Sequence, residues 1–371
     1  MADNKDKKVL NVPALRFPEF TDEWKKIRLG DNCSIQMCKR IMAAQTNTEG
    51  GVPFYKIGTI GGKADAYISK DLFDEYKRKY SYPNKGEVMI TCAGTVGKCV
   101  IYDGEDSYYQ DSNIVWIDNP NEIISNDFLY HLLSNINWSY LNSTTIVRIY
   151  NDDLRNLKLC CPRLDEQKKI ARFLSLINER IATQNKIIED LRLLSKGIIE
   201  TVTSSQKPNT LIKDCLECNS SILQESQVAK YGAFSVYGAT GITGYTEAAD
   251  VNGESILIIK DGSGVGTVKY VTGEYSYIGT LNRLIAKDGY CLKYIYFALQ
   301  RFSFEPYKTG MAIPHIYFRD YGKAKIYCPS LSLQTLIAQK LSLIENEMEV
   351  EKRIILCYQL QKSYLLSRMF I

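Results

Sequence analysis

The chain has 371 residues, 45% hydrophobic and 24% charged, with a net charge of +4. That is the balance of an ordinary soluble protein of two or slightly more domains, and it permits a nucleic-acid partner without requiring one, because charge must be clustered to matter. No apolar run reaches the roughly 18 residues of a membrane span.

Residues 17–35 open with Phe17-Pro18-Glu19-Phe20, Trp24 and Leu29-Gly30-Asp31. From there to about residue 160 the pattern is that of short strands. Val88-Met89-Ile90-Thr91, Lys98-Cys99-Val100-Ile101-Tyr102 and Ile114-Val115-Trp116-Ile117 are bounded by Gly and Asp turns. Asp127 to Leu141 reads as a short helix with Phe128, Leu129, Leu132 and Leu133 on its apolar face. No proline lies between Pro162 and Pro208, and the only glycine there is Gly197. Ile170, Leu174, Ile177, Ile181, Gln184, Ile188, Leu191, Ser195, Ile198 and Val202 step by four and three alternately. That is a heptad seam over roughly 40 residues, or about 60 Å of helix. Residues 209–328 return to strands, with Ser255-Ile256-Leu257-Ile258-Ile259 and Thr267-Val268-Lys269-Tyr270-Val271. Residues 330–371 return to the helix, with Ile337, Leu341, Ile344, Met348, Glu351, Ile355, Tyr358, Lys362, Leu365 and Met369 on its seam.

The chain therefore repeats itself, at an offset of 167 (328 − 161, 334 − 167, 344 − 177, 355 − 188). Cys161-Pro162, Gln167, Ile170 and Ala171 return as Cys328-Pro329, Gln334, Ile337 and Ala338. A period this long exceeds that of a solenoid and implies two copies of one domain-plus-helix unit, a pseudo-dimer in one chain. A second helix that packs on the first most cheaply runs antiparallel to it. The expected fold is α+β: two strand-rich domains, each followed by a long helix, with the helices forming an antiparallel coiled coil under pseudo-two-fold symmetry. A pseudo-dimer suits a bipartite target, and the usual one is double-stranded DNA.

The glycine-rich runs are strand–turn–strand by this reading. Asp261-Gly262-Ser263-Gly264-Val265-Gly266 precedes a strand, whereas a dinucleotide site needs a helix there. Its counterpart, Cys92-Ala93-Gly94-Thr95-Val96-Gly97-Lys98, lacks the first glycine and the Ser/Thr of a P-loop. A shared glycine turn lets the backbone approach a partner closely. Cys215-Leu216-Glu217-Cys218 is a lone C-x-x-C without a second pair, so no metal site is expected. No catalytic constellation emerges around His131 or His315, and no cofactor is implied. Candidate DNA contacts are expected in matched polar turns, Tyr108–Asn113 and Tyr277–Arg283 among them, because amide and guanidinium groups make bidentate base-edge contacts. They are Lys98; Gln110 and Asn113; Thr144, Thr145 and Arg148; Ser263; Asn282 and Arg283; Lys308 and His315. The polar N-terminus, Met1 to Lys8, has no apolar signal core, and the eleven cysteines read as reduced thiols, so a cytoplasmic location is expected.

These residues together resemble the specificity subunit of type I restriction–modification systems. The likeness rests on Arg16-Phe17-Pro18-Glu19-Phe20-Thr21-Asp22-Glu23-Trp24 with Leu29-Gly30-Asp31, on Tyr237-Gly238-Ala239-Thr240-Gly241-Ile242-Thr243-Gly244-Tyr245, and on Cys161-Pro162 with Leu164, Glu166-Gln167 and Ile170. It implies target recognition domains at 1–162 and 208–329 and spacer helices at 163–207 and 330–371. It also implies a non-catalytic subunit that reads a split DNA site, one half per domain. Such a subunit positions methyltransferase (modification) and motor-nuclease (restriction) subunits. One departure stands out: Glu166 is replaced by Leu333 in the second copy. A stand-alone pseudo-dimeric DNA-binding regulator is the competing reading, and a coiled-coil adaptor a third.

Overall fold

The computed structural model describes residues 11–141, 148–204, 206–310 and 312–371. They divide into two compact units, one of residues up to 183 together with 355–371, the other of residues 184–354.

The first unit is built on strands β1 (Ser34–Gln36), β2 (Val88–Thr91), β3 (Cys99–Ile101) and β4 (Ile114–Asp118), in the antiparallel order β1-β4-β2-β3. Alternation sends Val88, Ile90, Val115 and Ile117 to one face of this sheet and Met89, Ile114 and Trp116 to the other. The first face packs on helix α1 (Asn126–Asn135) and on the opening of helix α2 (Leu164–Ser204). The second face covers a three-stranded sheet in which Val52–Tyr55 pairs in parallel with Tyr108–Tyr109.

The second unit repeats this plan. Strands β5 (Leu216–Ser220), β6 (Ser255–Ile259), β7 (Val268–Val271) and β8 (Leu281–Ala286) run in the order β5-β8-β6-β7. Ile256, Ile258 and Leu284 face helix α3 (Leu292–Arg301) and helix α4 (Leu331–Met369), while Leu257, Ile259 and Leu281 face a second small sheet. There Phe234–Gly238 pairs in parallel with Glu274–Tyr277.

The heptad seams appear as burial. Ile170, Leu174, Ile177, Ile188, Ile337, Leu341 and Ile355 are buried; Ile181, Leu191, Ile344, Met348 and Tyr358 are half-buried. In the first unit the opening of α2 shares a core with Leu365 and Met369 at the end of α4. In the second, Ile199 near the end of α2 shares one with Ile337 and Leu341 at the opening of α4. Within each unit the two helices therefore run in opposite directions.

Each long helix is tied to its unit by a buried glutamine. Gln167 accepts from the Ser125 N–H (2.8 Å) and donates to the Ile123 and Pro162 carbonyls (2.8 and 2.9 Å). Gln334 accepts from the Cys291 N–H (2.9 Å) and donates to the Pro329 carbonyl (2.8 Å). Ser125 and Cys291 are the residues that precede α1 and α3, so one side chain joins the start of the short helix to the start of the long one.

Two expectations need correction. The short helix stops at Asn135 and is followed by a separate 3-10 turn over Trp138–Leu141. Asn282 and Arg283 are not in a turn: they lie in the central strand β8, opposite Ile258 and Leu257. Their register equivalents in β4 are Val115 and Trp116, both buried, so polar residues here occupy sheet positions whose partners in the other unit are apolar.

Candidate nucleic-acid interface

In each unit the sheet has two distinct ends. The end carrying Asp118 leads to Ser125 and Gln167, and the end carrying Ala286 leads to Cys291 and Gln334, so both face the long helices. The opposite end, at Thr91 and Ile114 in one unit and Ile259 and Leu281 in the other, carries a cluster of loops.

The same backbone bonds build both clusters. In the first unit Thr91 N donates to Lys98 O (3.0 Å), Gly97 N to Thr91 O (2.8 Å), Cys92 N to Asn113 O (2.7 Å) and Ile149 N to Cys92 O (2.9 Å). In the second, Ile259 N donates to Thr267 O (3.0 Å), Gly266 N to Ile259 O (2.9 Å), Lys260 N to Thr280 O (3.0 Å) and Ile316 N to Lys260 O (2.9 Å). In both units the glycine turn, the turn before β4 or β8 and the segment at Ile149 or Ile316 are thus locked together by the same bonds.

The turns need their glycines. Gly97 and Gly266 have φ of 81° and 92°, which L side chains rarely adopt. A Cβ on Gly97 would lie 2.1 Å from Trp138 Cδ1, and one on Gly266 would lie 2.9 Å from Phe304 Cβ. The close approach anticipated for the glycine turn is therefore to an aromatic ring of the same unit. An open cleft adjoins each seat, about 740 Å³ beside Trp138 and about 500 Å³ beside Phe304.

The expected contact residues fall into distinct places. Lys98 is exposed and its ammonium donates to the Ile60 carbonyl, tying the loop of residues 56–61 to the glycine turn. Gln110 and Asn113 flank a tight turn in which Ser112 has φ of 53°, and both are half-buried. Arg148 lies in the same cluster, half-buried, with its guanidinium carbon 5.7 Å from the Tyr150 ring centre. Burial pushes the Cys92 thiol up to about 12, and the nearby Arg148 charge opposes this. Thr144 and Thr145 lie outside the described residues. In the second unit Ser263 is exposed on the glycine turn. His315 pairs its backbone with Thr309, and its ring meets Tyr317 edge-on at 5.4 Å. Lys308, at the base of that segment, is ion-paired with Glu305. Ser263, Lys308 and His315 thus come together. Asn282 and Arg283 stand apart: Asn282 is buried and accepts from Ser220 Oγ (2.8 Å), and Arg283 Nε donates to the buried Ser255 Oγ (2.7 Å).

One pair of loops escaped the sequence reading. Residues 38–47 and 221–229 adjoin these clusters and share a frame: Met42 N donates to Gln45 Oε1 (2.8 Å) and Gln224 N to Gln227 Oε1 (2.9 Å). Asn47 and Ala229 each exchange two backbone bonds, with Tyr67 and Tyr245. The offset here is 182 (224 − 42, 227 − 45, 229 − 47), so a search at 167 passes over it. Arg40 in the first loop is 65% exposed at its side chain and pairs with Asp111 at 2.7 Å.

Among the described residues no group of three or more His, Cys, Asp or Glu side chains could hold a metal ion, and no helix is long and apolar enough to cross a membrane.

The model of the type I restriction modification DNA specificity domain matches this chain twice, over residues 21–193 and 211–356. A Haemophilus influenzae protein named as a type I restriction enzyme specificity subunit is 50% identical over 173 residues, 46% of this chain and 44% of that protein. A Methanocaldococcus jannaschii type I restriction enzyme specificity subunit, MjaVIII, is 27% identical over 202 residues, 53% of this chain and 45% of that protein. These alignments span less than half the length of the relatives they match. The crystal structure of a type I restriction–modification S subunit from M. genitalium superposes with a TM-score of 0.69 and 18% identity, covering 97% of this chain and 99% of that one. A duplicated sheet-and-loop frame, each copy followed by a long helix and each matched by the same domain model, places the chain in the type I restriction–modification DNA specificity family.

Proposed function

We propose that each loop cluster reads one half of a bipartite double-stranded DNA site, that the long helices carry the modification subunits, and that this chain performs no chemistry itself. The observation that carries the reading is the double construction of one backbone frame with different side chains at its tips. Arg148 and Lys98 in one unit, and Ser263, Lys308 and His315 in the other, are the candidate contacts. Lysine and arginine would supply phosphate affinity, and base-edge contacts the sequence. Arg283 and Asn282 position the sheet beneath. By the family resemblance, restriction (motor-nuclease) subunits join the same assembly and the helices set the gap between half-sites.

Exposed leucines on the helices favour this over a partnerless regulator. Leu176 and Leu343 are 41% and 63% exposed, and Leu193 and Leu360 57% and 63%, each pair 167 residues apart (343 − 176, 360 − 193). An apolar residue presented at the same place in both copies fits two equivalent partner subunits. The test is an exchange of residues 209–328 for the corresponding domain of another family member, read by methylome sequencing. One half of the methylated motif should change while the other half and the gap stay. A motif that changes in both halves would refute one domain per half-site.

A further inference from the structure

Ile222 is 96% exposed, close to complete exposure for a branched apolar side chain. Single exposed apolar residues are common and usually need no explanation. This one sits on a fixed loop. On one side Ser220 Oγ donates to Asn282 Oδ1 (2.8 Å). On the other, Leu223 N donates to Ser221 Oγ (3.0 Å), and Leu223 O accepts from Gly279 N (2.8 Å). Gln224 N is held by the Gln227 side chain. The turn that receives the loop, Ile278 to Leu281, is bonded in turn to Lys260 at the base of the glycine turn. The side chain is therefore presented by the cluster of loops at the far end of the sheet, with its backbone pinned on both sides. The shared frame of the two loops puts Ile222 at the place of Arg40 (222 − 182 = 40). One unit thus offers a guanidinium where the other offers an apolar tip.

A guanidinium suits the acceptor edge of a guanine. In the major groove the apolar feature that a base pair presents is the 5-methyl group of thymine, which aliphatic side chains contact. We propose that Ile222 is a specificity-determining residue that reads a thymine methyl group in the half-site of the second unit. The assignment rests on the DNA-reading function proposed above. Its chemistry is narrower: one methyl group at one base pair. Pinned backbone on both sides means that little backbone freedom is lost on contact.

The test uses the full chain assembled with its modification subunits and duplexes carrying the motif found by methylome sequencing. Each thymine of the second half-site is replaced in turn by deoxyuracil, which removes only the methyl group. At one position the wild-type complex should lose about three- to tenfold in affinity, the worth of one to two buried methyl-sized groups. Ile222→Ala should show the same loss on thymine DNA and no further loss on uracil DNA at that position. Ile222→Arg should move the preference at that position away from thymine. The assignment is overturned if no position responds to uracil, if Ile222→Ala keeps the response, if Ile222→Ala weakens every duplex alike, or if the second half-site contains no A·T pair. Failure of the domain exchange would remove the DNA-reading function as well; failure of the uracil series alone would remove only Ile222.

Discussion

Arg16 grips Glu166 through two parallel hydrogen bonds, Nε to Oε1 and Nη2 to Oε2, both 2.7 Å, and the glutamate is 1% exposed. The contact fastens the N-terminal segment to the opening of α2, where Phe17 also meets Phe173 edge-on at 6.0 Å and Leu15 N donates to Arg368 O. The glutamate raises the pKa of the Arg16 guanidinium, chiefly through the hydrogen bond. The second copy has Leu333 at the place of Glu166, 42% exposed. The carboxylate belongs to the N-terminal segment's seat, which explains its restriction to one copy.

Removing one partner of this pair strands the other. Arg16→Ala should destabilise the first unit by about 3–5 kcal/mol, since a buried carboxylate loses its counter-charge. The double change Arg16→Leu with Glu166→Leu should cost much less. Urea denaturation of the two variants beside the wild type checks this; equal costs would mean that the charge pair is not the issue.

Gln167→Ala and Gln334→Ala test the ties between short and long helices. Gln167 makes three bonds to backbone groups of its surroundings and Gln334 two. Each buried backbone group left without its partner costs roughly 1–3 kcal/mol. Both variants should lower the unfolding midpoint, with Gln167→Ala the more damaging. The reverse order would show that the count of lost bonds does not control the effect.

His131 supplies a pH dependence. It is 1% exposed, its Nε2 lies 3.3 Å from Ser175 Oγ, and its pKa falls from 6.5 to about 4, mainly by burial and further by the charge of Lys362. The folded chain therefore holds this ring neutral more firmly than the unfolded chain does. Its contribution is fully present above pH 6.5 and is lost as pH falls towards 4, by an amount on the order of 3 kcal/mol. Stability measured at pH 7, 5.5 and 4.5 should fall less steeply for His131→Gln than for the wild type. Parallel curves would exclude His131 as the titrating group.

Two glycines should respond in opposite directions. Gly197 lies inside α2 with open space where a methyl group would stand, so Gly197→Ala should stabilise by about 0.5–1 kcal/mol. Gly97→Ala must both strain a positive φ and displace Trp138, and should destabilise by roughly 2 kcal/mol or more. Thermal unfolding of the two variants decides it, and a neutral Gly97→Ala would show that the Trp138 seat can relax.

The exposed helix leucines predict a phenotype without unfolding. Leu343→Asp places a charge on a side chain 63% exposed, so the fold should persist. Capture of the modification subunit should drop at least tenfold if that surface docks it, as a buried charge in an interface costs several kcal/mol. Unchanged capture would move the docking surface elsewhere.

The long helices were legible because a heptad pattern reports burial directly, and Leu174 and Leu341 are both fully buried, as that pattern requires. The duplication was legible only where its offset is constant. It changes from 178 (245 − 67) to 168 (259 − 91) across the ten-residue helix Lys70–Lys79 of the first unit. Upstream of that insertion the loops bearing Arg40 and Ile222 fall out of register. Arg283 was misplaced for another reason: a polar residue in a strand looks like a turn residue until its partner, Ser255, is seen. The ring-on-glycine seats at Gly97 and Gly266 join residues about 40 apart, and no local pattern signals them.

Four of the bonds that hold the loop clusters together run between main-chain atoms: Cys92 to Asn113, Ile149 to Cys92, Lys260 to Thr280, Ile316 to Lys260. Main-chain bonds survive a change of side chain. Tip side chains that take no part in bracing the loops can therefore change one at a time with these bonds intact, and on the function proposed above each half could then drift in preference independently of the other. The geometry separates the grammar of the protein from its vocabulary.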